Sequence, residues 1–150
     1  MLTARSARRV AVLSDAHGNA VALEAVLADL PKDVDLVVSG GDLTWGPLPE
    51  ETRALVEQLP APALFVRGNA ERALLRCVEQ VEAGQEARLS ARESWMARRH
   101  SRETRAFLAR FVEQVVVEID GLGPVRFCHG SPRSARSASR AQRPSRASGR

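Results

Sequence analysis

The sequence has few cysteines, few aromatic residues and no long apolar run. Two cysteines, Cys77 and Cys128, are too few for a disulfide framework, and their apolar surroundings indicate free thiols in a cytoplasmic protein. Residues 10–13 are too short for the apolar core of a signal peptide, and no run approaches the roughly 18 residues that cross a bilayer. These absences exclude a disulfide-rich secreted protein and predict no membrane partner.

Basic charge is concentrated at one end of the chain. The formal net charge is +4, from 22 basic and 18 acidic residues. Six arginines lie in residues 133–150, where there is no acidic residue, so the remaining 16 basic residues leave the rest of the chain at a net charge of −2. A mildly acidic body is not the surface expected of a dedicated nucleic-acid-binding domain.

The last residues also differ from the rest in composition. From Ser131 onward the chain contains only Ser, Pro, Arg, Ala, Gln and Gly, with no Val, Leu, Ile or Phe to bury. We therefore predict a folded domain over residues 1–132 and a disordered Arg/Ser-rich tail over residues 133–150. Such a tail would bind nucleic acid only non-specifically, through its positive charge.

Apolar runs alternate with amphipathic segments in the first half of the chain. The runs at 9–14, 34–39 and 63–67 are typical of buried strands. Asn19 is a candidate N-cap for a first helix, and Pro49 begins a second. The positions that the first helix is expected to bury are Leu23, Val26, Leu27 and Leu30. The order β-α-β-α-β predicts an α/β fold with a parallel sheet.

Three helical patterns fill the middle of the chain. The second of them is expected to bury Trp95 and Met96, whereas His100, surrounded by arginines, is expected to be solvated. Two later strand-like runs, 115–119 and 125–128, flank an Asp-Gly turn signal. This arrangement predicts a β-hairpin.

Four short motifs that combine glycine with a metal-capable side chain stand at the ends of the apolar runs. They are Asp15-Ala16-His17-Gly18-Asn19, Gly40-Gly41-Asp42, Gly68-Asn69-Ala70-Glu71 and Cys128-His129-Gly130. In open α/β sheets, ligands bind outside the carboxyl ends of the strands. We therefore expect four separate stretches of chain to converge on one site.

The residue types in these motifs predict a two-metal site. Asp15 and His17 are two residues apart, which directs both side chains to one side of an extended segment, and this pair suits Mn, Fe, Zn or Ni better than Mg or Ca. Asp42 has two oxygens that could bridge two ions, while Asn69 and His129 offer a neutral oxygen and a second imidazole. Two ions about 3.5–4 Å apart clamp a phosphoryl group and generate hydroxide near neutral pH.

Each of these residues also has a structural interpretation. Asp15 and Asn19 could cap the first helix, and Asp42 could stabilise its own glycine turn. Asn69 could cap the helix after the third strand, and His129 could be an ordinary residue at a strand end. The occurrence of all four motifs in this order favours the site.

The series Asp-x-His-Gly-Asn, Gly-Gly-Asp, Gly-Asn-x-Glu and His-Gly-Ser resembles the calcineurin-like metallophosphoesterases, in particular their small bacterial phosphodiesterase-like branch, over roughly residues 8–132. The resemblance implies an αββα sandwich and hydrolysis of a phosphomonoester or phosphodiester, with a small phosphorylated molecule as substrate. It also implies two divalent metal ions, Mn before Fe, Zn or Ni. The implied roles are Asp15 and His17 for the first metal, Asp42 as the bridging and catalytic residue, Asn69 and His129 for the second metal, and Asn19 for substrate binding.

The sequence departs from the family pattern in two places. The histidine that usually follows Gly-Asn is Ala70, so another acid, such as water, would protonate the leaving group. The family's later Gly-His-x-His motif has no counterpart, and the change in composition after Ser131 suggests translation in another reading frame. We therefore expect an incomplete second sheet, an uncovered edge that favours self-association, and impaired activity. The alternative is a non-catalytic, truncated remnant of the fold with weak or no metal binding.

Overall fold

A parallel three-stranded sheet organises the first half of the chain. The structure, a computed structural model, describes residues 2–59 and 61–131. The strands are β2 (Val10–Leu13), β3 (Leu36–Ser39) and β4 (Ala63–Phe65), in the order β2-β3-β4. Every residue of β3 is buried, as is typical of a central parallel strand covered on both faces.

A second three-stranded sheet is formed by β1 (Leu2–Ala7), β5 (Gln114–Ile119) and β6 (Gly123–Cys128), in the order β1-β5-β6. The antiparallel pair β5 and β6 is the hairpin predicted from the sequence. Strand β1 was not predicted, because its sequence LTARSA carries no apolar run. It forms by parallel pairing with β5, a partner far along the chain that no local pattern reveals.

Five helices and one short 3₁₀ turn complete the described part of the chain. Their bounds are α1 (Ala20–Ala28), α2 (Pro49–Glu57), α3 (Asn69–Glu82), the 3₁₀ turn (Glu86–Arg88), α4 (Ala91–Arg99) and α5 (Arg102–Ala109). Side-chain N-caps explain where three of the helices begin: Asn19 for α1, Ser90 for α4 and Ser101 for α5. The two three-stranded sheets and the five helices confirm the predicted α/β sandwich with a short second sheet.

The apolar core has two parts. The first lies among all five helices and includes Leu23, Val56, Leu74, Met96 and Leu108. The second lies between the two sheets, where Val38, Val66 and Val115 are almost completely buried. The sheets are therefore joined by packing as well as by a bridge between Val66 and Val112.

Two apolar residues that the sequence predicts to be buried are exposed. Trp95 is 46% exposed, because it lies on the outer side of α4 beneath the guanidinium of Arg99, whose Cζ is 5.2 Å from the ring centroid. Val26 is 47% exposed, although helix α1 forms as expected. Helical periodicity identified the faces of these helices but not how far each face extends under its neighbours.

Two expectations fall outside the described residues. These are the disordered tail over 133–150 and the boundary of the domain at residue 132, so the division into a domain over 1–132 and a tail stays a prediction. Within the described residues, no helix is both long enough and apolar enough to cross a membrane.

Candidate metal centre

Three metal-capable side chains meet at the carboxyl end of the parallel sheet. Asp15 and His17 follow β2, and Asp42 follows β3. Each offers one ligand atom, and these atoms lie within 4.8 Å of one another. The Nε2 atom of His17 is 3.8 Å from Oδ1 of Asp15 and 3.7 Å from Oδ2 of Asp42. The first two of the predicted motifs therefore converge.

All three of these residues have left-handed backbone conformations. The φ angles are 59° at Asp15, 48° at His17 and 55° at Asp42. Only a few per cent of residues other than glycine adopt this region, and strain of this kind clusters at functional sites. The surrounding hydrogen bonds hold the strained turns in place: the N–H groups of Asp15 and His17 donate to the carbonyls of Gly41 and Asp42 at 3.0 and 2.9 Å.

Glycines permit the close approach of the loops around the cluster. A Cβ atom on Gly46 would lie 1.6 Å from the carbonyl oxygen of His17, and one on Gly68 would lie 2.0 Å from Oδ1 of Asp42. Any larger side chain at these two positions would displace the ligand-bearing loops. Gly68 of the third motif and Gly46, which lies outside the motifs, therefore have a packing role.

The two carboxylate oxygens of Asp42 have different surroundings. Oδ1 accepts a hydrogen bond from the backbone N–H of Ala70 at 2.8 Å, so the carboxylate caps the first turn of α3. Oδ2 faces the Nε2 atoms of His17 and His129, at 3.7 and 3.6 Å. One oxygen therefore accepts a hydrogen bond from the protein and the other stands between two imidazoles, and the bridging role of Asp42 stays a prediction.

Glu71 holds the backbone on which Asp42 lies. Its Oε2 accepts the N–H groups of Asp42 and Gly68 at 2.9 and 2.7 Å, and its Oε1 accepts that of Leu43 at 2.8 Å. Only 1% of the residue is exposed. Burial raises the pKa of the Glu71 carboxyl, although the three N–H donors oppose this effect by favouring the charged form. The sequence motif contains Glu71, but sequence reasoning gave it no role.

His129 is oriented by the first sheet. Its Nδ1 lies 2.8 Å from the carbonyl oxygen of Gly40, and because a carbonyl can only accept, Nδ1 carries the proton. Nε2 lies 3.6 Å from Oδ2 of Asp42 and within hydrogen-bond distance of the side-chain amide of Asn69, whose Oδ1 is 3.0 Å away. A backbone carbonyl on one nitrogen, with the other nitrogen directed at the candidate ligands, is the usual environment of a metal-binding histidine.

The two asparagines have different surroundings. Asn69 is the first residue of α3, and its Oδ1 lies at the ring of His129, so the structure brings both to the cluster through Asp42. Asn19 caps α1, with Oδ1 accepting the N–H of Ala22 at 3.1 Å. The capping interpretation is therefore correct for Asn19, and its role in substrate binding stays a prediction.

The donor set fits divalent transition-metal ions. It combines carboxylate oxygens, imidazole nitrogens and an amide oxygen, the mixture that suits Mn, Fe, Zn or Ni. Ligands that share an ion at about 2.0–2.2 Å lie roughly 3–4 Å apart, and the His–carboxylate separations of 3.6–3.8 Å fall in this range. They are too long for hydrogen bonds. The side chains therefore have the spacing that a shared ion requires.

His100 lies next to this region and is not solvated as expected. It is 1% exposed, with Nδ1 at 2.8 Å from the carbonyl oxygen of Met96 and Nε2 at 3.0 Å from Oγ1 of Thr44. Burial lowers the pKa of His100 and so favours the neutral ring. The neighbouring arginines suggested a solvent-facing helix surface, but the helix ends at Arg99 and the chain turns His100 inward.

A family model described as calcineurin-like phosphoesterase matches residues 8–145. The chain belongs to the calcineurin-like phosphoesterase family. The family implies hydrolysis of phosphoesters with divalent metal ions, and Asp15, His17 and Asp42 form a candidate metal-binding group in this member.

Two solved structures are similar to this family member. One, a candidate diadenosine tetraphosphatase, shares 21% sequence identity and a TM-score of 0.66 over 87% of this chain and 54% of its own. The other, a metallophosphoesterase from Sphaerobacter thermophilus, shares 34% identity and a TM-score of 0.55 over 72% of this chain and 43% of its own. The chain thus spans about half the length of these structures. No curated protein matches it.

Proposed function

We propose that this chain carries the metal site of a phosphoesterase that hydrolyses a phosphomonoester or phosphodiester of a small molecule. The observation that carries the proposal is the position of Asp42 Oδ2, which faces His17 on one side and His129 on the other. Asp15 adds a carboxylate beside His17, and Asn69 adds an oxygen beside His129. The five candidate metal ligands therefore form two groups that share Asp42.

Two divalent ions, Mn²⁺ foremost, would be held by these groups. Asp15 and His17 would hold the first, Asn69 and His129 would hold the second, and Asp42 would be shared by the two. When bound, such ions neutralise charge on a phosphoryl group and lower the pKa of water to near neutral.

The protein's own contribution is to fix the ligands before any ion arrives. Asp42 cannot rotate freely, because Oδ1 is bound by the N–H of Ala70 and the backbone by the carboxylate of Glu71. The Nδ1–H of His129 donates to Gly40 and keeps the Nε2 lone pair directed at the cluster. Fixed donors of this kind need little reorganisation during the reaction, which favours catalysis.

Substrate would approach from the side of Asp15 and His17. Their side chains are 55% and 46% exposed, whereas those of Asp42 and His129 are 6% and 12% exposed. Position 70, where the family usually has a histidine, holds a buried alanine with no proton to give. We therefore propose that solvent protonates the leaving group.

Turnover with defined metal content tests this proposal. The full chain would be stripped of metal, supplied with Mn²⁺ and assayed on an aryl phosphate and on an aryl phosphodiester. We expect Mn²⁺-dependent hydrolysis of at least one of them, abolished by Asp42→Asn and retained by Asp29→Asn, which changes an exposed aspartate at the end of α1. Turnover that is unaffected by Asp42→Asn would contradict the assignment.

The same assay distinguishes a phosphoesterase from the alternative, a non-catalytic remnant of the fold. A remnant would bind Mn²⁺ weakly or not at all and would give no turnover on either substrate.

The unpaired Cys77 and Cys128 support our further proposal of a cytoplasmic location, where thiols stay reduced.

A further inference from the structure

We infer that His100 is a positioning residue for the metal centre: through Thr44, it fixes the segment over residues 42–48 that orients Asp42 and His17. The inference rests on the proposed function of that centre. It concerns residues outside the four sequence motifs, in the junction between α4 and α5.

The contact between His100 and Thr44 is a directed, buried hydrogen bond. The carbonyl of Met96 can only accept, so Nδ1 of His100 carries the proton, and Nε2 is left as an acceptor. The hydroxyl of Thr44 therefore donates to Nε2 at 3.0 Å. Both His100 and Thr44 are 1% exposed, so no water replaces this bond if it is broken.

The junction between α4 and α5 also contacts the chain that follows Thr44 at two further residues, Pro47 and Glu50. Nε of Arg99 donates to the carbonyl of Pro47 at 2.8 Å. The carboxylate of Glu50 accepts the N–H of Ser101 at 2.8 Å and the hydroxyl of Thr104 at 2.6 Å. Three successive contacts therefore join residues 44–50 to residues 99–104.

On its other side, this segment supports the loop that carries His17. The carbonyl of Leu43 accepts the N–H of Gly18 at 2.8 Å, and the N–H of Leu48 donates to the carbonyl of Gly18 at 3.0 Å. The backbone of Gly46 lies directly against the carbonyl of His17. A shift of Thr44 would therefore reach Leu43 and Gly46 together, and through them the left-handed turn at His17.

A buried histidine could serve core stability alone, so the test must separate positioning from stability. Thr44→Val removes only the hydroxyl donor, and Thr44→Ser retains it. Ser90→Ala is the matched control, because it removes the N-cap of α4, where Oγ accepts the N–H of Glu93, and touches no part of the centre. The control lowers the stability of the same helix without changing the contact to Thr44.

Two readouts are measured on the full chain: amide hydrogen exchange at His17 and Gly18 without metal, and Mn²⁺ affinity by calorimetry. We expect Thr44→Val to speed exchange at both amides about tenfold and to weaken Mn²⁺ binding by about 10- to 100-fold, the range typical of groups that orient metal ligands. Thr44→Ser should restore both, and Ser90→Ala should change neither.

Unchanged exchange and unchanged Mn²⁺ affinity in Thr44→Val would overturn the inference. Equal effects of Thr44→Val and Ser90→Ala would also overturn it, since they would show a role in stability alone. If the wild-type chain binds no Mn²⁺ while Thr44→Val still speeds exchange at His17 and Gly18, the positioning of the loop is supported and the proposed function of the centre fails.

Discussion

The carboxylate of Glu71 accepts the backbone N–H of Asp42 at 2.9 Å, and the carboxylate of Asp42 accepts the N–H of Ala70, the residue before Glu71, at 2.8 Å. This reciprocal pair fastens the loop after β3 to the start of α3. Because Asp42 and Asn69 belong to these two segments, the pair also fixes the distance between two candidate ligands. The acidic residue of the Gly-Asn-x-Glu motif thus has a physical role in the metal centre without facing it.

Replacement of Glu71 tests this role. In Glu71→Gln, an amide nitrogen would face at least one of the three N–H groups that the carboxylate now accepts, and a buried donor would be left unpaired. We expect the free energy of unfolding to fall by about 1–3 kcal/mol and Mn²⁺ affinity to fall with it. Glu79→Gln, on the exposed side of the same helix, is the control and should change neither in urea unfolding or calorimetry.

The left-handed turn at His17 predicts an unusual order of stability between two variants that both lack the imidazole. Alanine is normally the more stabilising residue, since glycine loses more backbone entropy on folding. At a φ of 48°, however, alanine carries a steric cost of about 1–2 kcal/mol that glycine avoids. We expect His17→Gly to be more stable than His17→Ala in thermal or urea unfolding. The reverse order would show that the turn relaxes when the imidazole is removed.

Gly46→Ala tests the close contact between the segment after β3 and the loop after β2. Gly46 does not have a positive φ, so the variant introduces no backbone strain of that kind, but its Cβ would lie 1.6 Å from the carbonyl oxygen of His17. We expect a loss of more than about 2 kcal/mol in unfolding free energy, together with weaker Mn²⁺ binding.

Gly84→Ala provides the comparison for this variant. Gly84 has a φ of 69°, and a methyl group added there would meet no atom within 4 Å, so only the backbone cost of about 1 kcal/mol should be observed. Mn²⁺ binding should stay at the wild-type level. Equal losses for Gly46→Ala and Gly84→Ala would mean that the contact with His17 relaxes without cost.

His100 predicts a pH dependence of stability. Burial lowers its pKa in the folded state below the ordinary 6.5, with Glu50 acting to raise it and Arg105 to lower it. The unfolded chain takes up the proton as the pH falls through about 6.5, and the folded chain takes it up only at a lower pH. The free energy of unfolding is therefore unaffected by the titration of His100 above that pH, and it decreases as the pH falls below it.

The measurement compares urea unfolding of the wild type and His100→Gln at about pH 7.5 and about pH 5.5. We expect the stability advantage of the wild type to be largest at the higher pH and to shrink at the lower one. An advantage that is constant or grows on acidification would show that the folded state accommodates the imidazolium.

Local sequence patterns predicted much of the fold, and their failures have physical causes. The strands β2 and β3 are apolar runs that end at motifs, and Asn19 and Pro49 mark the beginnings of α1 and α2. Strand β1 could not be predicted because its stability comes from pairing with β5. The inward turn of His100 could not be predicted either, because it depends on a buried hydroxyl from a distant segment.

The candidate site, like the fold, was predicted only in part from the sequence. The residue types at Asp15, His17 and Asp42 identified the cluster, because carboxyl ends of neighbouring parallel strands must lie together. The unequal roles of the two Asp42 oxygens were not predictable, since they follow from the approach of α3 to the loop after β3. The positions of the motifs in the sequence predict which side chains come together. The hydrogen-bond partners of each side chain depend on how the helices and loops pack.

Titration of the metal-free chain with Mn²⁺, beside Asp42→Asn, tests the central claim most directly. An asparagine can keep its carbonyl oxygen on the N–H of Ala70 and so preserve the fold, while its amide replaces the anionic oxygen that faces His17 and His129. We expect Mn²⁺ binding by the wild type, loss of that binding in Asp42→Asn at an unchanged circular dichroism spectrum, and wild-type binding in Asp29→Asn. Equal Mn²⁺ affinity in the wild type and Asp42→Asn would contradict a metal centre built around Asp42.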